Sequence, residues 1–175
     1  MRTANRISSR FSFYDVEASG LMRGAFPVNI GWSSHGATFS VLIKPADIWN
    51  DANWDDVAQS IHGMSLHYLR RNGKDVRQVA RIMNDHLRSQ TVYCDSADRD
   101  SAWTDMLYNA AGVRREFEIR SIGPLLGSMG VPATDAYEAF EVTRETHPPD
   151  GIAIHGVMHL QAVVDHLEQK GIIRS

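Results

Sequence analysis

Two β-rich runs, FPVNIGWSS and GATFSVLIKP, meet at a turn near His35-Gly36, so this chain must begin by building sheet. FSFYDVE, residues 11–17, alternates apolar residues with others and adds a strand ahead of that hairpin. Helical periodicity then takes over. NWDDVAQSIHGM and SLHYLRRNG read as short helices, the second closed by Gly73. DVRQVARIMNDHLRS sets Val76, Val79, Ile82, Met83 and Leu87 at helical spacing behind Asp75 as N-cap. TVYCD is a short strand, DRDSAWTDMLYNAAG a helix closed by Gly112, and REFEIRSI another strand. Helices are expected at about 133–145 and about 151–170. Strands that first pair locally and later alternate with helices predict an α/β domain, a mixed sheet flanked by helices, over residues 1–175.

Charge and cysteine content narrow the setting. The single cysteine, Cys94, excludes an intramolecular disulfide and suits a reducing compartment. The basic start MRTANRISSR lacks the apolar run of a signal peptide, and no window approaches the ~18 apolar residues of a membrane span. The expectation is a soluble, cytoplasmic protein. A net charge of −3 argues against a non-specific coat on duplex DNA. It is compatible with an enzyme acting on nucleic acid, because metal-holding carboxylates offset local basic residues.

Asp15 and Glu17 lie two apart in FYDVEASGL, at the end of the first strand. Residues i and i+2 of a strand project from one face, so the two carboxylates point the same way. Adjacent anions raise each other's pKa unless a cation neutralises them, and Mg²⁺ or Mn²⁺ suits hard oxygen ligands. A solvated strand end is the plainer reading of D-x-E by itself. The small turn Ala18-Ser19-Gly20 leaves room for a ligand, and Asp100, near the start of a later helix, is placed to face the first strand. Asp95 and Asp98 read as loop or N-cap residues.

These residues resemble the DEDDh (DnaQ-like) 3′–5′ exonucleases of the ribonuclease-H-like superfamily. Their first motif, D-x-E followed by a small residue and often Gly-Leu, is matched by Asp15-Val16-Glu17-Ala18-Ser19-Gly20-Leu21. Their second ends in an aspartate opening a helix, as in YCDSADRDSAWTDML with Asp100. PVNIGW and SIHGMS also fall at corresponding places, so the resemblance spans nearly the whole chain. It implies a ribonuclease-H-like fold and two-metal hydrolysis of phosphodiester bonds at single-stranded DNA or RNA 3′ ends. Asp15, Glu17 and Asp100 would hold Mg²⁺ or Mn²⁺, and the family's habit of dimerising suggests a homodimer. A histidine base and a fourth aspartate would come from a third motif, H-x-A-x-x-D.

That third motif is absent as such from PPDGIAIHGVMHLQAVVDHL. One alignment makes His155 the base and puts Leu160 at the aspartate. A second keeps Ala162 and Asp165 but leaves His159 a residue too early. The third, which we favour, aligns Ala153 and leaves Gly151 and Gly156 where the histidine and aspartate should be. Asp150 then reads as an N-cap, and His155, next to Gly156, is either a substitute base or metal ligand or, like His159 and His166, a plain helix-edge histidine; restoring Gly151→His with Gly156→Asp should raise activity. His155 and His159 have the i, i+4 spacing of a zinc pair but lack an HExxH motif or a third ligand. The rival function is a catalytically weakened homologue that binds nucleic-acid ends or a protein partner. Trp49, Trp54 and Trp103 read as core. Arg70, Arg71 and Lys74 form a small basic cluster that is either a phosphate contact or a solvated helix end.

Overall fold

The computed structural model describes residues 6–174; the first five residues of the basic N-terminus and Ser175 lie outside the described range. Five strands form one sheet: β1 (Ser12–Ala18), β2 (Pro27–Ser34), β3 (Ala37–Leu42), β4 (Thr91–Cys94) and β5 (Glu118–Ser121). Their order is β3-β2-β1-β4-β5. β1, β2 and β3 pair antiparallel, and β4 joins β1, and β5 joins β4, in parallel. Among the described residues there are also seven α-helices: α1 (Asp56–His62), α2 (Leu66–Asn72), α3 (Val76–Leu87), α4 (Ala97–Ala111), α5 (Ile122–Ser128), α6 (Ala133–Thr146) and α7 (Ala153–Gln169). This α/β arrangement of a mixed sheet between helices is ribonuclease-H-like. Among the described residues, no helix is long and apolar enough to cross a membrane.

Local chemistry accounts for most of these elements. The β2–β3 turn holds both His35 and Gly36 at positive φ, 51° and 80°. A two-residue turn with that geometry matches the twist of the strands it joins. Next to it Trp32 and Phe39 sit opposite each other and stack with centroids 5.7 Å apart. Asp75 caps α3 by accepting the Arg77 N–H at 2.9 Å, as its place before the apolar repeat predicts. Helix α5 was not expected from Ile122-Gly123-Pro124, which carries two breakers. Pro124 falls in the first turn, where its missing N–H removes no helical bond.

The side-chain period of β1 decides what the sheet's two faces carry. Tyr14 and Val16 pack with Ile30, Val79, Met83 and Leu107, beneath α3 and α4. Phe13 faces the other way, into a second apolar cluster with Val157, Leu160 and Val164 of α7. Asp15 and Glu17 alternate in phase with Phe13 and so project toward α7. All eight residues of β2 are buried, because helices cover this part of the sheet on both sides.

Candidate metal centre

The carboxyl end of β1 is where the acidic residues gather. A register irregularity between Glu17 and Ala18 breaks the β1–β2 ladder there. Such bulges re-aim side chains beside functional sites. The chain then turns through Ser19, whose Oγ donates to the Asn53 carbonyl at 2.9 Å and accepts the Phe26 N–H at 3.0 Å. The approach at Gly20 is close: a β-carbon there would lie 3.0 Å from Asp55 Cβ.

Two glycines bring α7 down onto the sheet. At Gly31 of β2 a β-carbon would meet the Ala153 carbonyl carbon and oxygen at 2.6 Å. At Gly156 it would meet Asp15 itself, 2.5 Å from Cγ and 3.0 Å from Cβ. Asn29 fixes the first turn of α7, its Oδ1 accepting the Ala153 N–H at 3.0 Å while its Nδ2 donates to the Val41 carbonyl at 2.8 Å. This side chain, missed in the sequence, supplies the capping bond that Asp150 was expected to make. Asp150 instead accepts a bond from His155 Nδ1 at 2.6 Å, and the N-cap is Ile152.

Asp100 arrives from the other side of β1. Tyr14 OH and Thr104 Oγ1 are 2.8 Å apart, and Thr104 in turn donates to the Asp100 carbonyl at 2.6 Å, tying the first turn of α4 to the strand. Asp100 is 2% exposed, and its Oδ2 has no hydrogen-bond partner. Asp15, Asp95 and Asp100 each offer an oxygen, and the three oxygens lie within 4.8 Å of one another. Asp95 therefore joins the cluster rather than serving as the loop or N-cap residue expected. Ser96 is the N-cap of α4 and makes no side-chain capping bond. Glu17 stands on the same face, outside that tightest group.

The electrostatics match this crowding. Burial, followed by the charges of Glu17, Asp100 and Asp95, holds the Asp15 carboxyl well above the usual carboxylate range. Burial pushes Asp100 up to about 7, with Asp95 and Glu17 raising it against the opposing pull of Cys94 and Arg99. Glu17 is raised by burial and by the charges of Asp150 and Asp95. Converging carboxylates, one with an orphaned buried oxygen, fit a divalent cation with hard oxygen ligands. Asp15, Asp95, Asp100 and Glu17 are the residues that could hold it.

The residues weighed in the three alignments of the last helix have different surroundings. Leu160 is buried in the apolar cluster, and Asp165 pairs with Arg6 at 2.7 Å, far along the helix. Gly156 is the position that stands against Asp15. Gly151 has a φ of +82°, and a β-carbon there would lie 2.8 Å from both Ile61 Cγ2 and its carbonyl oxygen. Neither glycine has space for a side chain, so the double substitution expected from the sequence to raise activity has no room. His155 pairs with Asp150, while His159 is buried and bonds the His147 carbonyl at 2.9 Å, so the two histidines have separate partners.

Beside Glu17 runs a groove of about 160 Å³, with Leu21, Val57, Ile61, His62 and Trp103 among its walls. Leu21, Val57 and Ile61 are more than half exposed. His62 accepts the Met64 N–H on Nδ1 at 3.1 Å, which leaves Nε2 as a buried donor without a partner. Trp49 stacks on Phe26 as a core residue. Arg70 is committed to Asp51, which leaves Arg71 and Lys74 of the basic cluster.

No family model matches the sequence, and no curated protein matches it. Solved structures do resemble the fold. Exonuclease I of E. coli in complex with a dA16 oligonucleotide superposes with a TM-score of 0.70 at 12% identity, over 91% of this chain and 40% of that one. The zinc-bound form of the E. coli enzyme with single-stranded DNA gives 0.61 at 13% identity, over the same shares of each chain. An apo Exonuclease I structure gives 0.64 at 13% identity, over 91% and 42%. This chain thus spans about two fifths of the proteins it resembles, and the likeness shows a common ribonuclease-H-like fold.

Proposed function

We propose that this chain is a divalent-metal-dependent 3′–5′ exonuclease acting on single-stranded DNA or RNA ends, with Asp15, Glu17 and Asp100 as Mg²⁺ or Mn²⁺ ligands. The observation that carries the reading is the convergence of Asp15 with Asp100, a residue whose Oδ2 is buried and unpartnered. Bound divalent ions supply an activated water and neutralise charge developing on the leaving oxygen.

The chain's own residues do the rest. Asp150 holds His155 with Nδ1 protonated, which leaves the Nε2 lone pair free to accept a proton as the general base. Asp150 is close enough to raise the pKa of Glu17, which supports a position for the pair on the rim of the site. The groove beside Glu17 offers exposed apolar surface for an unstacked terminal base. The absence of side chains at Gly151 and Gly156 supports the second reading, a weakened homologue that binds ends without turning them over.

A 3′-labelled single-stranded oligonucleotide, DNA first and RNA second, tests the proposal in Mn²⁺ or Mg²⁺. Shortening from the 3′ end is expected, Asp15→Ala should reduce it to background, and His155→Ala should slow it about 10²-fold. Cleavage that survives Asp15→Ala overturns the enzyme reading. Tight binding without cleavage selects the second.

A further inference from the structure

We propose that Asp95 is the fourth carboxylate of this site, supplied from the end of β4 in place of the one that α7 cannot provide. The inference rests on the metal-dependent reading above and concerns only where the remaining ligand comes from.

Sheet register brings Asp95 to the site. Phe13 and Tyr93 are partners in the parallel β1–β4 pairing, and both pack on the face covered by α5, α6 and α7. Two residues further along each chain the same face recurs, which sets Asp15 and Asp95 side by side. Their oxygens lie within 4.8 Å of each other and of Asp100. On the opposite side Gly156 of α7 has no room for a ligand side chain, because its backbone rests on the Asp15 carboxylate.

Asp95 is not occupied elsewhere. It is exposed, and among the described residues it accepts no hydrogen bond and forms no ion pair. Ser96, not Asp95, is the N-cap of α4. The independent sign of a ligand is Asp100 Oδ2, 98% of its residue buried and yet unpartnered beside Asp15 and Asp95. A buried carboxylate oxygen is ordinarily satisfied, so a cation is the missing partner. A cation bound to Asp100 and Asp15 lies within reach of Asp95, whereas Gly156, the α7 residue that stands against Asp15, carries no side chain.

Mn²⁺ binding, measured by titration calorimetry on the metal-stripped protein, separates the outcomes. The comparison is between the wild type, Asp15→Asn, Asp95→Asn and Asp98→Asn, the last being an exposed aspartate three residues on, in the first turn of α4. Even supporting residues behind a metal ligand contribute 10–100-fold to affinity. Asp95→Asn should therefore weaken Mn²⁺ binding by at least about tenfold, with circular dichroism unchanged and Asp98→Asn equal to wild type. Wild-type affinity in Asp95→Asn, with binding lost in Asp15→Asn, overturns the role of Asp95 and leaves the metal site standing. No Mn²⁺ binding by the wild type overturns both.

Discussion

Gly156→Ala is expected to destroy divalent-cation binding and to destabilise the fold by about 1–2 kcal/mol, although alanine is the better helix former. Within an unobstructed helix the exchange would gain about 1 kcal/mol. Here the new methyl would sit on the Asp15 side chain, 2.5 Å from Cγ. Overpacking of that kind costs about 1–3 kcal/mol. Only two movements relieve it. Lifting α7 breaks the Ala153–Asn29 bond and loosens Val157 and Leu160 in the apolar cluster. Swinging Asp15 aside withdraws the carboxylate itself. Either movement disturbs the cation site, so the decisive readout is the shift of Tm on adding Mn²⁺. The wild type should show a shift and Gly156→Ala none. A variant that melts higher than wild type and still responds to Mn²⁺ would show that α7 does not press on Asp15. Gly156→Asp should fare worse, since it adds a second anion where one methyl does not fit.

What could be read in the sequence, and what could not, follows the distance over which each feature is determined. The hairpin, the Asp75 cap and the pairing of Asp15 with Glu17 on one face depend on neighbours within a few residues. They were legible from the spacing of residues alone. Asp95 was not, because its place beside Asp15 depends on the register between β1 and β4, whose paired residues are 80 positions apart. Asn29 was missed for the same reason: its partner is Ala153, across 124 positions. The last helix illustrates both cases. Its apolar stripe marked it as a helix, and the alignment on Ala153 singled out Gly151 and Gly156. Only the packing of α7 on Gly31 and Asp15 shows that these positions are too closely approached to hold side chains. Helix α5 escaped because Gly123 and Pro124 signal a loop wherever they do not fall in a first turn.

Asp100→Asn should make the metal-free protein more stable at pH 8 while abolishing its response to Mn²⁺. Asp100 titrates near 7 in the folded chain against an ordinary value of 3.8, so the folded state binds its proton more tightly than the unfolded state. Stability from this group is therefore fully present below the unfolded pKa and is lost as pH rises through about 7. At about 1.4 kcal/mol per pKa unit, ionised Asp100 costs the metal-free fold a few kcal/mol at pH 8. Asparagine removes that cost, and less than all of it is recovered because a buried amide also needs partners. Asp15, raised by burial and by the same neighbours, acts in the same direction. Two buried histidines oppose it at lower pH. Burial holds His62 and His159 below the ordinary imidazole value, so each costs stability once pH falls below about 6.5, where the unfolded chain takes up protons first. In EDTA the wild type should gain stability between pH 8 and about 6.5 and flatten or lose it below. Asp100→Asn should show a smaller rise over that interval, and its advantage over wild type should shrink as Asp100 protonates. Mn²⁺ at pH 8 should reverse the order of the two proteins, because the cation stabilises the ionised cluster that asparagine breaks. Equal urea midpoints for the two proteins in EDTA at pH 8, with the same gain on adding Mn²⁺, would mean that Asp100 is neither a strained anion nor a ligand.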